Sequence, residues 1–185
     1  MTQEIRKHSD DVLSRAANLH GKGETTHEIR AELEALLTEH QNTDDDQSSA
    51  RVHYALATHH MIRTQLDVAI QHCEDGLRLI GGKQSPLEVE LLVLLSRQYI
   101  ANNVIKAREI TTSAMDLSQQ LNGHVTPSVL LRHAEAVGAN GDVEGSIELL
   151  RQAEALFDLD GDEPVEWWSF CDFAFSSSTT GSTHS

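Results

Sequence analysis

A chain of 185 residues has room for one compact domain or a short repeat array, and with three prolines and 4% aromatic residues its composition favours helix over sheet. A formal net charge of −15 repels nucleic-acid phosphates and anionic membranes, so neither is expected as a partner, whereas a basic or amphipathic protein or peptide is. Cys73 and Cys171 lie far apart and in no metal-binding spacing, the start Met1–Lys7 is polar, and no apolar run approaches membrane-spanning length, which together point to a soluble cytoplasmic protein.

Helical periodicity and end signals predict eight helices, over about 3–21, 26–40, 46–62, 65–80, 86–101, 103–121, 127–139 and 142–158. After the first, His20-Gly21-Lys22-Gly23-Glu24-Thr25 holds Gly, Lys and Thr, but not in the order of a phosphate loop and with no strand before it. Thr25-Thr26-His27-Glu28 reads as a capping box opening the second helix. The stretch Gln41–Gln47 reads as a polar linker, and its aspartates can cap the third helix. Leu66, Ile70, Cys73 and Leu77 keep helical spacing in the fourth, which should stop at Gly81-Gly82. Ser85-Pro86-Leu87-Glu88 combines an N-cap, a first-turn proline and a capping-box glutamate at the fifth. Asn122-Gly123 marks the end of the sixth and Thr126-Pro127 the start of the seventh. Asn140-Gly141-Asp142 is a tight turn before the eighth, where Ile147, Leu150, Ala153 and Phe157 keep the helical period.

A small residue recurs in every second helix: Ala31, Ala69, Ala107 and Ser146, at intervals of 38, 38 and 39 residues. Two turns later the last three offer Gly76, Ala114 and Ala153 on the same face, where a neighbouring helix can approach closely. Large–small pairs and small residues recur along the hairpins: Leu56-Ala57 with Ala69 and Gly76, Leu94-Leu95 with Ala107 and Ala114, and Ala134 with Ser146 and Ala153.

Over roughly residues 45–158 this pattern resembles the tetratricopeptide repeat (TPR) family. It departs from the family in its longer repeat, against about 34 residues. It also has His60 and Cys73 at usually aromatic positions, and prolines at the starts of first helices. The resemblance implies an all-α fold, a right-handed solenoid of about four TPR-like hairpins over 1–162. Its first helices would line a concave face that holds a peptide or partner domain. It implies partner-binding residues Arg51, Tyr54, Thr58 and Met61, then Leu92, Ser96 and Tyr99, then Leu131 and Glu135, with Tyr54 and Tyr99 as the best anchors. Long degenerate repeats of this kind resemble the regulatory arrays of bacterial signalling proteins. The alternative is a small acidic chaperone or adaptor for secretion or assembly.

Residues 163–175 hold both tryptophans and three of the four phenylalanines. They read either as a helix capping the last hairpin or as a contact surface, with Trp167, Trp168, Phe170 and Phe173 meeting a partner or a second copy in a homodimer. Residues 176–185, nearly all Ser, Thr and Gly, read as a disordered tail. No nucleophile motif is present, so no enzyme and no cofactor are expected. His59-His60 with His72-Cys73 is the most suggestive ligand set, and His60 and Cys73 would face each other across a hairpin. Four ligands do not converge from the spacing alone, so no metal is expected. Asp158-Leu159-Asp160-Gly161-Asp162 has a calcium-loop look, but its glycine comes too early and Ser169 stands where the loop needs glutamate.

Overall fold

A computed structural model describes residues 3–41 and 45–160, with side chains described over 6–40 and 45–156. The described residues form eight helices: α1 Gln3–Gly21, α2 His27–Gln41, α3 Asp46–Ile62, α4 Leu66–Ile80, α5 Pro86–Ile100, α6 Val104–Asn122, α7 Pro127–Ala139 and α8 Val143–Asp160. The aromatic segment 163–175, with Trp167, Trp168, Phe170 and Phe173, and the tail 176–185 lie outside the described residues.

Local chemistry sets the ends. Asp45 accepts a hydrogen bond from the Ser48 amide at 2.9 Å and opens α3. At α5, Ser85 Oγ accepts from the Glu88 amide, and the Glu88 carboxylate accepts from the amides of Gly82 and Gln84. Three amides that a helix start and turn would leave orphaned are thus satisfied within seven residues. Thr26 rather than Thr25 caps α2, through the Ile29 amide. Asn103 caps α6 through the Lys106 amide, although nothing in the sequence reading marked it. Gly123 closes α6 in the left-handed region at φ 73°, a conformation that an L side chain strains to adopt.

The helices pair as antiparallel hairpins, α3 with α4, α5 with α6 and α7 with α8, while α1 and α2 pack on each other and on α3. Along the stack α1 touches α3, α3 touches α5 and α5 touches α7, whereas α2, α4, α6 and α8 do not approach one another. The first helices therefore form one tight inner layer and the second helices a splayed outer one, so the inner layer is the concave side. Each second helix also packs against the next first helix, and this makes the core continuous. Val12, Ile29, Leu33, Leu36, Val52 and Leu56 fill the first junction, Ala57, Cys73, Leu94 and Leu95 the next, and Val89, Ala114, Leu117 and Val129 the third.

The repeat holds, but its first unit is in a different register. Ala69, Cys73, Gly76 and Ile80 are buried on α4, and Ala107, Thr111, Ala114 and Ser118 on α6. On α2 the equivalent buried positions are Ile29, Leu33, Leu36 and His40, and Ala31 is exposed. One methyl buries too little area to choose a helix face; the three large aliphatics choose it instead.

Candidate binding groove and histidine cluster

Three successive first helices enclose a cavity of about 460 Å³ on the concave side. Helix α1 contributes Leu13, Ala17 and His20; α3 contributes Arg51, Tyr54, Ala55, Thr58, Met61 and Ile62; α5 contributes Leu87, Glu90, Leu94 and Arg97. Its walls are mainly apolar, with a few polar groups converging on them, the usual make-up of a ligand site. Burial pushes the Tyr54 phenol up to about 12, assisted by Glu90, so its hydroxyl stays protonated and can donate. Burial also raises the Glu90 carboxyl. Arg97 is brought down to about 10, chiefly by burial and then by Arg132, with Glu135 acting against them; it remains a cation at neutral pH. Arg51 is held to Asp10 at 3.2 Å at the open end, where a second, polar hollow of about 340 Å³ begins.

Arg51, Tyr54, Thr58 and Met61 thus come together in the cavity wall. Leu92, Ser96, Tyr99, Leu131 and Glu135 are not among its lining residues. Ser96 is fully buried and donates to the Val93 carbonyl. Leu92 packs into the α5–α6–α7 core. Tyr99 turns toward α4 and α6: Lys106 Nζ donates to its hydroxyl at 2.6 Å and sits 4.1 Å from its ring centre, and the hydroxyl faces Glu74. Glu135 pairs with Arg132 one turn away on α7. On α5 the groove positions are instead Leu87, Glu90, Leu94 and Arg97.

A second feature lies alongside. Five imidazoles from α1, α3 and α4 run ring to ring: His20 to His59 at 5.7 Å between centres, His59 to His60 at 5.5 Å, His60 to His72 at 5.4 Å and nearly parallel, and His72 to His53 at 5.2 Å. His53 Nδ1 and His72 Nδ1 are 3.0 Å apart, so with both rings neutral one N–H donates to the other nitrogen. His60 Nδ1 lies 2.7 Å from Gln65 Oε1. His59 Nδ1 and His20 Nε2 are buried without a hydrogen-bond partner. Burial is the largest cause holding His59 and His72 down at about 4, and it also lowers His20 and His53. Burial thus favours the neutral form of these four rings at pH 7. The sequence marks the pairs His59-His60 and His72-Cys73, but His20 and His53 join them only in three dimensions. His60 and Cys73 are both buried, as expected for core positions. Burial pushes the Cys73 thiol up to about 12, so on its own it stays protonated at neutral pH.

No family model, no curated protein and no solved structure matches the chain. Its architecture is an all-α stack of helical hairpins of the generic repeat type, a scaffold consistent with a protein- or peptide-binding module. Among the described residues no helix is long and apolar enough to cross a membrane.

Proposed function

We propose that this chain is a TPR-like protein-interaction module that holds a short amphipathic peptide or partner segment in the groove of α1, α3 and α5. One observation carries the reading: a largely apolar cavity built by three successive first helices on the concave side. Single hairpins cannot make such a surface, whereas a stack makes it by construction. Leu13, Met61, Leu87 and Leu94 offer contacts to apolar side chains, and Met61 can re-pack around different ones. Arg51 and Arg97 on one hand, and Glu90 on the other, orient a polar backbone and its charges. In this reading the module binds without transforming its partner. A cytoplasmic role in bacterial signalling or regulation belongs to the same proposal and rests on the resemblance of the long repeats.

The groove is tested with peptides selected from a random library on the intact chain. Thr58→Arg fills the cavity and Met61→Glu places a charge in its apolar wall. Each is expected to weaken the selected peptides at least about tenfold, equivalent to 1.4 kcal/mol. Ser113→Arg, on the exposed side of α6, is expected to leave affinity unchanged. Equal binding to Thr58→Arg and the parent chain would place the peptide elsewhere and remove the proposal.

A further inference from the structure

Beside the groove, and independent of it, the inner face of the α3–α4 hairpin gathers three ligand-type side chains. His53 of α3 meets His72 and Asp75 of α4, and one potential donor atom from each lies within 4.8 Å of the other two. His72 and Asp75 are three residues apart on one helix and so share a face. His53 reaches them because α4 carries Gly76 at the contact: a Cβ there would stand 3.4 Å from His53 Cβ and 3.0 Å from Leu91 Cδ1. The site grades from buried His53 to half-buried His72 and Asp75, which leaves a route from solvent.

We propose that His53, His72 and Asp75 form a three-ligand site for a zinc-type divalent cation that clamps α3 to α4. Two imidazoles and a carboxylate suit zinc, with a fourth position left for water. Tetrahedral bonds of 2.0–2.1 Å place donor atoms about 3.3 Å apart. The His53 and His72 nitrogens, at 3.0 Å, are nearly at that spacing, and an Asp75 donor lies within 4.8 Å of both. Arg78 and Gln71 both hold Asp75 through Oδ1, at 2.7 and 3.1 Å, and this fixes the carboxylate while Oδ2 can turn to an ion. His60 stacks on the His72 ring and limits its rotation. Metal ligation also needs neutral imidazoles, which burial favours at both histidines. The site lies within a single hairpin, so an ion there would stiffen the unit that carries Tyr54 and Met61 into the groove.

The test uses the full chain, stripped with a chelator, titrated with zinc in competition with a chromophoric chelator and with cobalt(II) by absorption. One equivalent of saturable binding is expected, with cobalt bands of low coordination number and no thiolate-to-cobalt charge transfer. The melting temperature should rise roughly 5–10 °C at a zinc concentration a hundredfold above Kd. Asp75→Asn and His72→Gln, on the outer half of α4, should keep the helical spectrum, weaken zinc more than about tenfold and remove the thermal shift. The proposal is overturned by the absence of one-equivalent binding to the parent chain. It is overturned equally by binding that both variants leave unchanged, or by a charge-transfer band implicating Cys73.

Discussion

Leu91→Ala is expected to lower the stability of the fold by about 3 kcal/mol, within the range for a buried leucine truncated to alanine. Leu91 is fully buried, and it joins Ala50 and Ile80 where the second hairpin meets the third. Both flanking helices are anchored along their lengths by other contacts, so the void cannot collapse, and loss of transfer energy is compounded by loss of packing. A second substitution makes the prediction specific. Gly76→Ala alone gains about 1 kcal/mol of helix propensity. It also drives a methyl to 3.0 and 3.2 Å from the two Leu91 methyls. In the parent chain these effects oppose each other. In the Leu91→Ala background the obstruction is gone, and the added methyl occupies part of the void. Gly76→Ala should then recover about 1 kcal/mol or more. Urea midpoints of the four proteins measure the coupling, and strictly additive shifts would show that the two residues do not meet.

Acidification from pH 6.5 to about 4 is expected to remove on the order of 3 kcal/mol of stability through His59 alone. The histidine is 1% exposed, and burial is the largest cause of its lowered pKa of about 4. The facing positive or ionisable groups, His20 from α1, His60 and Arg63 at the end of α3 and Arg30 from α2, push in the same direction. In the unfolded chain the ring ionises near 6.5, whereas in the folded chain it stays neutral down to about 4. Across that window the unfolded state binds more protons, so stability falls with pH at up to about 1.4 kcal/mol per unit and levels off below pH 4. His59→Leu should flatten that part of the profile. It should change stability at pH 7 by less than about 1 kcal/mol, because the ring's buried Nδ1 has no partner to lose. Equilibrium unfolding at fixed pH values in the presence of a chelator tests this. A His59→Leu profile as steep as the parent's would assign the acid sensitivity to other groups.

The helices were legible because their ends carry chemistry. Ser85, Pro86 and Glu88, Gly123 and Asp45 all act where the sequence puts them, Thr126-Pro127 marks the start of α7 without a side-chain cap bond from Thr126, and every boundary falls within two residues. The hairpin stack was legible through the recurrence of small residues at Ala69, Ala107 and Ser146, each on the inward side of its helix. Ala31 fitted the interval without fitting the face, since spacing alone does not say which side of a helix is buried. The groove was half legible for a similar reason. On α3 the resemblance alone put Arg51, Tyr54, Thr58 and Met61 on the groove side, and these four do line the cavity. On α5 the run Val89 to Leu95 is almost continuously apolar, because α3, α4, α6 and α7 all press on it, and periodicity then gives no register. Leu92, Ser96 and Tyr99 were placed on the groove side by analogy, and the packing turns Leu87, Glu90, Leu94 and Arg97 there instead. Of the imidazole line the sequence marked His59-His60 and His72, but neither His20 and His53 nor the His53–His72–Asp75 group. The line and the group exist only once α1, α3 and α4 are side by side.

The ends of the described array are held less than its middle. Among the described residues α8 packs on α7 alone, and Val143, Ile147 and Leu150 stay between 41 and 61% exposed along one side of it. Every interior hairpin is buttressed from two directions, and the α7–α8 hairpin from a single direction. In a linear stack the interfaces add, so opening α8 forfeits one of them where opening α5 forfeits several. Among the described residues α1, which touches only α2 and α3, is an end helix in the same sense. The groove includes one such end: local opening of α1 would remove the wall formed by Leu13, Ala17 and His20, while α3 and α5 keep theirs.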